Sequence, residues 1–182
     1  MLYLFLFFLP LFVIGLLVWA GGMGLGIIFG RAPYILSPRG IDEIVALELF
    51  EIRRGATVYE LGSGNGHILK KISERRPDLA LIGYEISPYA YVLSWCKVWG
   101  KRNIAVHYGN FFSKKLVTPA AIYFYLLPEI YPKLISYLKE NALSGTLILA
   151  IDFPFSDSAS SELRLLRKVS LTRHRVFIYQ WN

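Results

Sequence analysis

The sequence predicts an α/β domain on a doubly wound, mostly parallel sheet, preceded by one transmembrane helix. Three observations carry this. Strand-like and helix-like segments alternate along most of the chain. A glycine-rich turn joins the first strand to the helix after it. The first 30 residues contain no charged side chain.

The chain has 182 residues, enough for one domain and an appendage. Hydrophobic residues make up 54% and mean hydropathy is +0.43, high for a soluble globular chain. The excess lies in residues 1–30, longer than the roughly 20 apolar residues a membrane span needs. No Lys or Arg precedes this run, whereas Arg31, Arg39, Arg53 and Arg54 follow it. A cleaved signal would carry a basic start and a shorter apolar core. The expected organisation is therefore an anchor at 1–30, a linker at 31–40 and a folded domain at 41–182. The positive flank places that domain on the cytoplasmic face of the membrane. The net charge of +7 and the pI of about 9.5 suit a position near anionic headgroups, and would equally suit nucleic acid. Cys96 is the single cysteine, which excludes an internal disulfide. Nothing in the sequence demands an obligate oligomer.

Pro33 and Pro38 interrupt any helix continuing from the apolar run, and Ser37 before Pro38 reads as a helix start. Ile41, Ile44, Val45, Leu47 and Leu49 recur at near-helical spacing. Thr57–Leu61 then reads as a strand, 62–66 as a turn and 67–75 as a helix. A second strand is expected over 79–86 and a helix over 89–99. Further strands are expected at 104–108, 120–126 and 145–151, with a helix from 129 to about 138. Leu163–Leu166 reads as a short helix, and 168–172 with 175–180 as a terminal antiparallel pair. This alternation is the pattern of a Rossmann-like, doubly wound sheet.

The chemistry concentrates at the ends of these strands. Val58-Tyr59-Glu60-Leu61-Gly62-Ser63-Gly64-Asn65-Gly66 runs from strand into turn. A dinucleotide fingerprint, Gly-x-Gly-x-x-Gly, would need a third glycine at 67 or 69, where His67 and Leu69 stand. The observed Gly-x-Gly-x-Gly, with Glu60 two residues before the first glycine, resembles motif I of class I S-adenosylmethionine (SAM)-dependent methyltransferases. That resemblance implies that Glu60, Gly62, Ser63, Gly64, Asn65 and Gly66 hold the methionine part of SAM. Glu85 ends the second strand about twenty residues after the turn, where a carboxylate accepts bonds from both ribose hydroxyls. Asn110 and Phe111 follow the third strand, where the class places a polar group on the adenine amine and an aromatic on the ring. Ligands of open α/β sheets bind beyond the strands' carboxyl ends. Tyr125, Leu127 and Pro128, at the end of strand four, are therefore expected to border the methyl-transfer centre and position the acceptor. Nucleic-acid adenine methyltransferases place a polar residue, two prolines and an aromatic there. Tyr-Leu-Leu-Pro differs, so a nucleic-acid partner is not expected.

These segments, with Asp152-Phe153-Pro154-Phe155 and the apolar N-terminus, resemble a narrower family over about residues 33–182. It comprises small membrane-associated lysine methyltransferases, whose mitochondrial members act on the ATP synthase c-subunit and the adenine nucleotide translocase. Those relatives usually have Asp where Glu60 stands and Asp-Gly-Arg where Asn65-Gly66-His67 stand. The resemblance implies SAM as cofactor, a lysine of a membrane protein as acceptor and a membrane location. Without a basic, Ser-rich transit peptide, that membrane is expected to be a prokaryotic inner membrane. A lipid or quinone acceptor, or SAM binding without turnover, are the alternatives. His67, His107 and His174 show no metal-ligand spacing with each other or with Cys96, so no metal is expected. No side chain stands out as a general base.

Overall fold

The computed structural model describes residues 8–10, 12–15, 40–156, 161–171 and 173–182. Helix α1 (Ile41–Glu48) leads into β1 (Thr57–Leu61), α2 (His67–Arg75), β2 (Ala80–Glu85), α3 (Pro88–Val98) and β3 (Ile104–Tyr108). After a 3₁₀ turn at Phe111–Ser113 come β4 (Pro119–Phe124), a second 3₁₀ turn at Pro128–Ile130 and α4 (Tyr131–Asn141). The chain closes with β5 (Leu147–Ile151), β6 (Leu163–Leu171) and β7 (His174–Trp181). The seven strands lie in the order β3-β2-β1-β4-β5-β7-β6. β7 is antiparallel to both of its neighbours, and the remaining pairings are parallel.

The sequence explains this layering. β1 and β4 are almost wholly buried, as expected of central parallel strands covered on both faces. α2 buries Ile68, Leu69 and Ile72 on one face and leaves charged residues on the other. One core, including Ile44, Val45, Ile68, Ile72, Tyr123 and Ile178, lies beneath α1 and α2. The other, including Tyr59, Phe124, Leu134, Leu138 and Tyr179, lies beneath α4. Arg76, just past α2, is almost fully buried. Its guanidinium donates to the carbonyls of Leu49, Phe50 and Ile52 and to the Asp78 carboxylate. It thereby locks the turn after α1 onto the end of α2.

Two expectations are corrected. Leu163–Leu166 is not helical but opens β6, which pairs with β7 from Leu163↔Trp181 to Leu171↔His174. The long antiparallel ladder prevails over the local leucine spacing, with a register shift between Leu165 and Arg167 absorbing the irregularity. The second correction concerns the membrane. The expected anchor and linker, with the Ser37-Pro38 helix start, lie largely outside the described residues. Residues 8–10 and 12–15 are helical and exposed. Among the described residues no helix is long and apolar enough to cross a membrane. The transmembrane helix, the membrane location and the membrane or membrane-protein partner expected from the sequence therefore have no structural support.

Candidate cofactor and active site

The carboxyl ends of β1, β2, β3 and β4 meet at one edge of the sheet. The turn after β1 takes the conformation its glycines predict: Gly62, Gly64 and Gly66 have φ of 82°, 52° and 70°. These left-handed values disfavour side chains with a Cβ. The N–H groups of Gly62 and Ser63 both donate to the Tyr84 carbonyl, at 2.9 and 2.8 Å, which fastens the turn to β2. α3 packs tightly on its far end: a Cβ on Gly66 would stand 2.4 Å from the Ser94 hydroxyl. Asn65 Oδ1 accepts the His67 N–H at 3.1 Å, satisfying one of the otherwise unpaired donors at the start of α2.

Glu85 is brought directly against this turn. Its Oε2 accepts the Gly64 N–H and its Oε1 the Ser87 N–H, both at 2.7 Å. Each carboxylate oxygen has a second lone pair, so capacity remains for two ligand hydroxyls. Burial raises the Glu85 pKa, opposed by backbone N–H groups of Ser87, Gly64 and Ile86 that stabilise the charge. Gly109 N–H donates to the Glu85 carbonyl at 2.8 Å, tying the end of β3 to the same point. Asn110 is exposed beyond it and accepts the Phe112 N–H at 3.0 Å. Phe111 is buried in the α4 core, with Tyr137 at 5.7 Å between ring centroids, while Phe112 beside it is half-buried.

Beneath the turn lie polar atoms without partners. Among the described residues, the buried side-chain atoms lacking a hydrogen bond are Glu60 Oε2, Ser63 Oγ, Ser94 Oγ and the Tyr123 hydroxyl. Glu60 and Tyr123 are register partners on β1 and β4. Burial pushes the Glu60 pKa well above 4.5; the nearby Tyr123 hydroxyl partly opposes this, and the Glu85 charge adds to it. Because the folded-state pKa is raised, the native chain retains a proton that the unfolded chain releases above about pH 4.5. This contribution to stability is complete below that pH and declines as pH rises toward the folded-state value. Glu60→Gln, whose amide can donate to Tyr123, is thus expected to flatten the fall in melting temperature as pH rises above about 4.5. Thermal melts across that range check it; an unchanged slope would exclude a raised Glu60 pKa.

Past β4, Leu126 lies over the glycine turn, its Cδ2 3.3 Å from where a Cβ on Gly62 would stand. Tyr125 is half-buried with its ring stacked on Phe153 at 6.2 Å. Burial raises its pKa, and the Asp152 carboxylate beside it adds to the rise. Leu127 is half-buried and Pro128 exposed at the start of the second 3₁₀ turn. The structure thus gathers Glu60, 62–66, Glu85, Asn110 and 125–128 around adjacent strand ends, and turns Phe111 toward the core.

A group that sequence reasoning missed joins this edge. Asp152, at the end of β5, accepts the Arg175 N–H through Oδ1 at 2.9 Å, and its Oδ2 lies 2.8 Å from His174 Nδ1. Twenty-two residues separate Asp152 from His174, and only the antiparallel pairing of β5 with β7 brings them together. The one local signal in the sequence was the Asp152-Phe153-Pro154-Phe155 segment, which marks the end of β5 but says nothing of His174.

No family model matches the chain, and no curated protein matches it. Solved structures do. An RNA methyltransferase from Salinibacter ruber in complex with S-adenosyl-L-homocysteine aligns over 81% of this chain and 94% of its own, with 22% identity and a TM-score of 0.71. A SAM-dependent methyltransferase from Aquifex aeolicus aligns over 76% and 88%, with 20% identity and a TM-score of 0.60. Aeropyrum pernix fibrillarin with natively bound SAM aligns over 76% and 74%, with 17% identity and a TM-score of 0.58. None of these findings supports the lysine methyltransferases of membrane proteins that the sequence resembles, and that narrower assignment is withdrawn. What the likenesses establish is the fold, which is that of class I SAM-dependent methyltransferases.

Proposed function

We propose that the chain is a SAM-dependent methyltransferase that binds its cofactor across the carboxyl ends of β1 to β4. The observation that carries this reading is the Glu85 carboxylate held against the Gly64 N–H within a turn of three left-handed glycines. The fit is supported by the unpaired buried atoms of Glu60 and Ser63 at the base of the turn. In this reading Glu60, Gly62, Ser63, Gly64, Asn65 and Gly66 surround the methionine end. Glu85 accepts the ribose hydroxyls. Asn110 and the aromatic pair Phe111 and Phe112 serve the adenine end, with Phe111 acting from the core side. Tyr125, Leu127 and Pro128 border the acceptor. When bound, SAM supplies an electrophilic methyl group on a sulfonium. The chain contributes alignment of the acceptor with that group and exclusion of water by Leu126 and Leu127. The fold shared with an RNA methyltransferase bound to S-adenosyl-L-homocysteine and with a fibrillarin bound to SAM supports this choice over a dinucleotide.

Calorimetry with SAM, S-adenosyl-L-homocysteine and NADH tests the cofactor. Both sulfur compounds are expected to bind in the micromolar range, and NADH is not. Preference for NADH would reject the class. Transfer of labelled methyl from SAM into cell extract tests turnover, and binding without any transfer would leave a SAM-binding protein that is not an enzyme.

A further inference from the structure

Asp152 and His174 form a built pair at the same edge of the sheet as the proposed cofactor site. β5 and β7 run antiparallel with Ile151 opposite Val176, so the next residues outward, Asp152 and Arg175, also face each other. Asp152 N–H donates to the Arg175 carbonyl at 2.7 Å, and the Arg175 N–H returns to Asp152 Oδ1 at 2.9 Å. Phe153 N–H bonds the Ile151 carbonyl at 2.8 Å, closing a tight turn with Asp152 at a φ of 63°. Positive φ is uncommon outside glycine, although Asp, Asn and His adopt it more readily than other residues. Here it aims the second carboxylate oxygen at His174 Nδ1, 2.8 Å away. The Asp152 side chain is 15% exposed and that of His174 35%, so the carboxylate is sheltered while the imidazole reaches the surface.

A carboxylate can only accept, so Nδ1 carries the proton in the neutral ring and Nε2 presents a lone pair. An imidazole oriented in this way is the arrangement that general-base chemistry uses. Asp152 lies at the edge that borders the proposed acceptor site: the ring of Phe153, the residue after it, stacks on Tyr125 at the end of β4. β4 and β5 are neighbours in the sheet, and Leu126 next to Tyr125 overlies the glycine turn.

We propose that His174, oriented by Asp152, is the general base for methyl transfer to a hydroxyl acceptor. The proposal rests on the SAM-dependent reading above. A neutral amine attacks a methyl group without help, whereas a hydroxyl keeps its proton at neutral pH and is a weak nucleophile until the proton is drawn away. The acceptor oxygen forms its bond to the methyl carbon as the carbon–sulfur bond breaks, with that bond's electron pair passing to sulfur. The hydroxyl proton moves to His174 Nε2. The resulting imidazolium faces the Asp152 carboxylate and then returns its proton to solvent. Other titratable groups around the ring are Tyr125 from β4, on the same carboxylate, and Arg173 and Arg175, which flank His174 in the chain.

The test uses the full chain with ¹⁵N-labelled histidine, His174→Gln to assign the signal, and saturating SAM or S-adenosyl-L-homocysteine. Two results are expected. Neutral His174 shows the Nδ1–H tautomer. Its titration midpoint is lower with SAM than with S-adenosyl-L-homocysteine, because the positive sulfonium of SAM disfavours the imidazolium. An Nε2–H tautomer, or identical midpoints, would overturn the proposal and leave the pair as a staple between β5 and the β6–β7 hairpin. If neither compound binds the wild-type chain, the cofactor reading falls and this proposal falls with it. Binding with an unresponsive His174 overturns this proposal alone.

Discussion

Glu85→Ala is expected to weaken SAM binding by roughly 100-fold or more, with little change in the fold. The carboxylate is the last side chain of β2, and it holds the Gly64 and Ser87 N–H groups at 2.7 Å. A hydrogen bond to a charged group contributes about 1.5–3 kcal/mol, so loss of bonds to two ribose hydroxyls readily accounts for two orders of magnitude. Two backbone donors are also released from their shared acceptor, which loosens the turn. Glu85→Gln keeps the shape but loses the charge and one acceptor, and is expected to fall between the two. Gly64→Ala tests the same site from the backbone side. Its φ of 52° is tolerated by alanine only with strain, and the added methyl group lies on the turn that the ligand would approach. Calorimetric titration with SAM reads both variants. Wild-type affinity in Glu85→Ala and Gly64→Ala together would reject the site, and circular dichroism separates loss of binding from loss of structure.

Arg76→Ala is expected to be the most damaging single change to stability outside the hydrophobic core. The guanidinium is held by the carbonyls of Leu49, Phe50 and Ile52 and by Asp78, whose carboxylate lies 2.7 Å from Arg76 Nη2. The Arg76 side chain is 9% exposed and the Asp78 side chain 28%, so solvent screens the pair only in part. Hydrogen bonding to Asp78 raises the Arg76 pKa and lowers that of Asp78, which keeps both ionised. Removing the guanidinium leaves the buried Leu49 carbonyl and the partly buried carbonyls of Phe50 and Ile52 without their donor, which together costs about 3 kcal/mol. At about 2–4 °C per kcal/mol for a chain of this size, the melting temperature should fall by roughly 10 °C. Arg76→Lys supplies the charge without the planar fork that reaches several acceptors at once, and should recover less than half of the loss. Urea denaturation of both variants measures this directly. A change below about 1 kcal/mol in Arg76→Ala would show that water replaces the guanidinium at the carbonyls.

Local pattern was enough for much of this protein. The alternation of strand and helix, the parallel sheet and the antiparallel close could be read because burial periodicity and turn residues act within a few positions. Gly62, Gly64 and Gly66 could be read as a left-handed turn for the same reason, and Glu85 as a carboxylate at the end of β2 about twenty residues on, whereas its bond to the Gly64 N–H was not read. Glu60 could be recognised as a carboxylate beside the turn, but not as a buried group facing Tyr123, since that contact depends on the register of β1 against β4. Phe111 read as an aromatic for the adenine end, whereas packing against Tyr137 turns it into the α4 core. The helix expected at Leu163–Leu166 failed because a strand's partner across the sheet outweighs its own leucine spacing. The apolar composition of residues 1–30 suggested a span, whereas among the described residues no helix is long and apolar enough to cross a membrane. His174 read as an isolated histidine until β7, inserted between β5 and β6, carried it to Asp152. Local physics wrote the glycine turn into one stretch of chain. The Asp152–His174 pair arises only where two strands far apart in sequence are held side by side by the sheet's long-range hydrogen bonds.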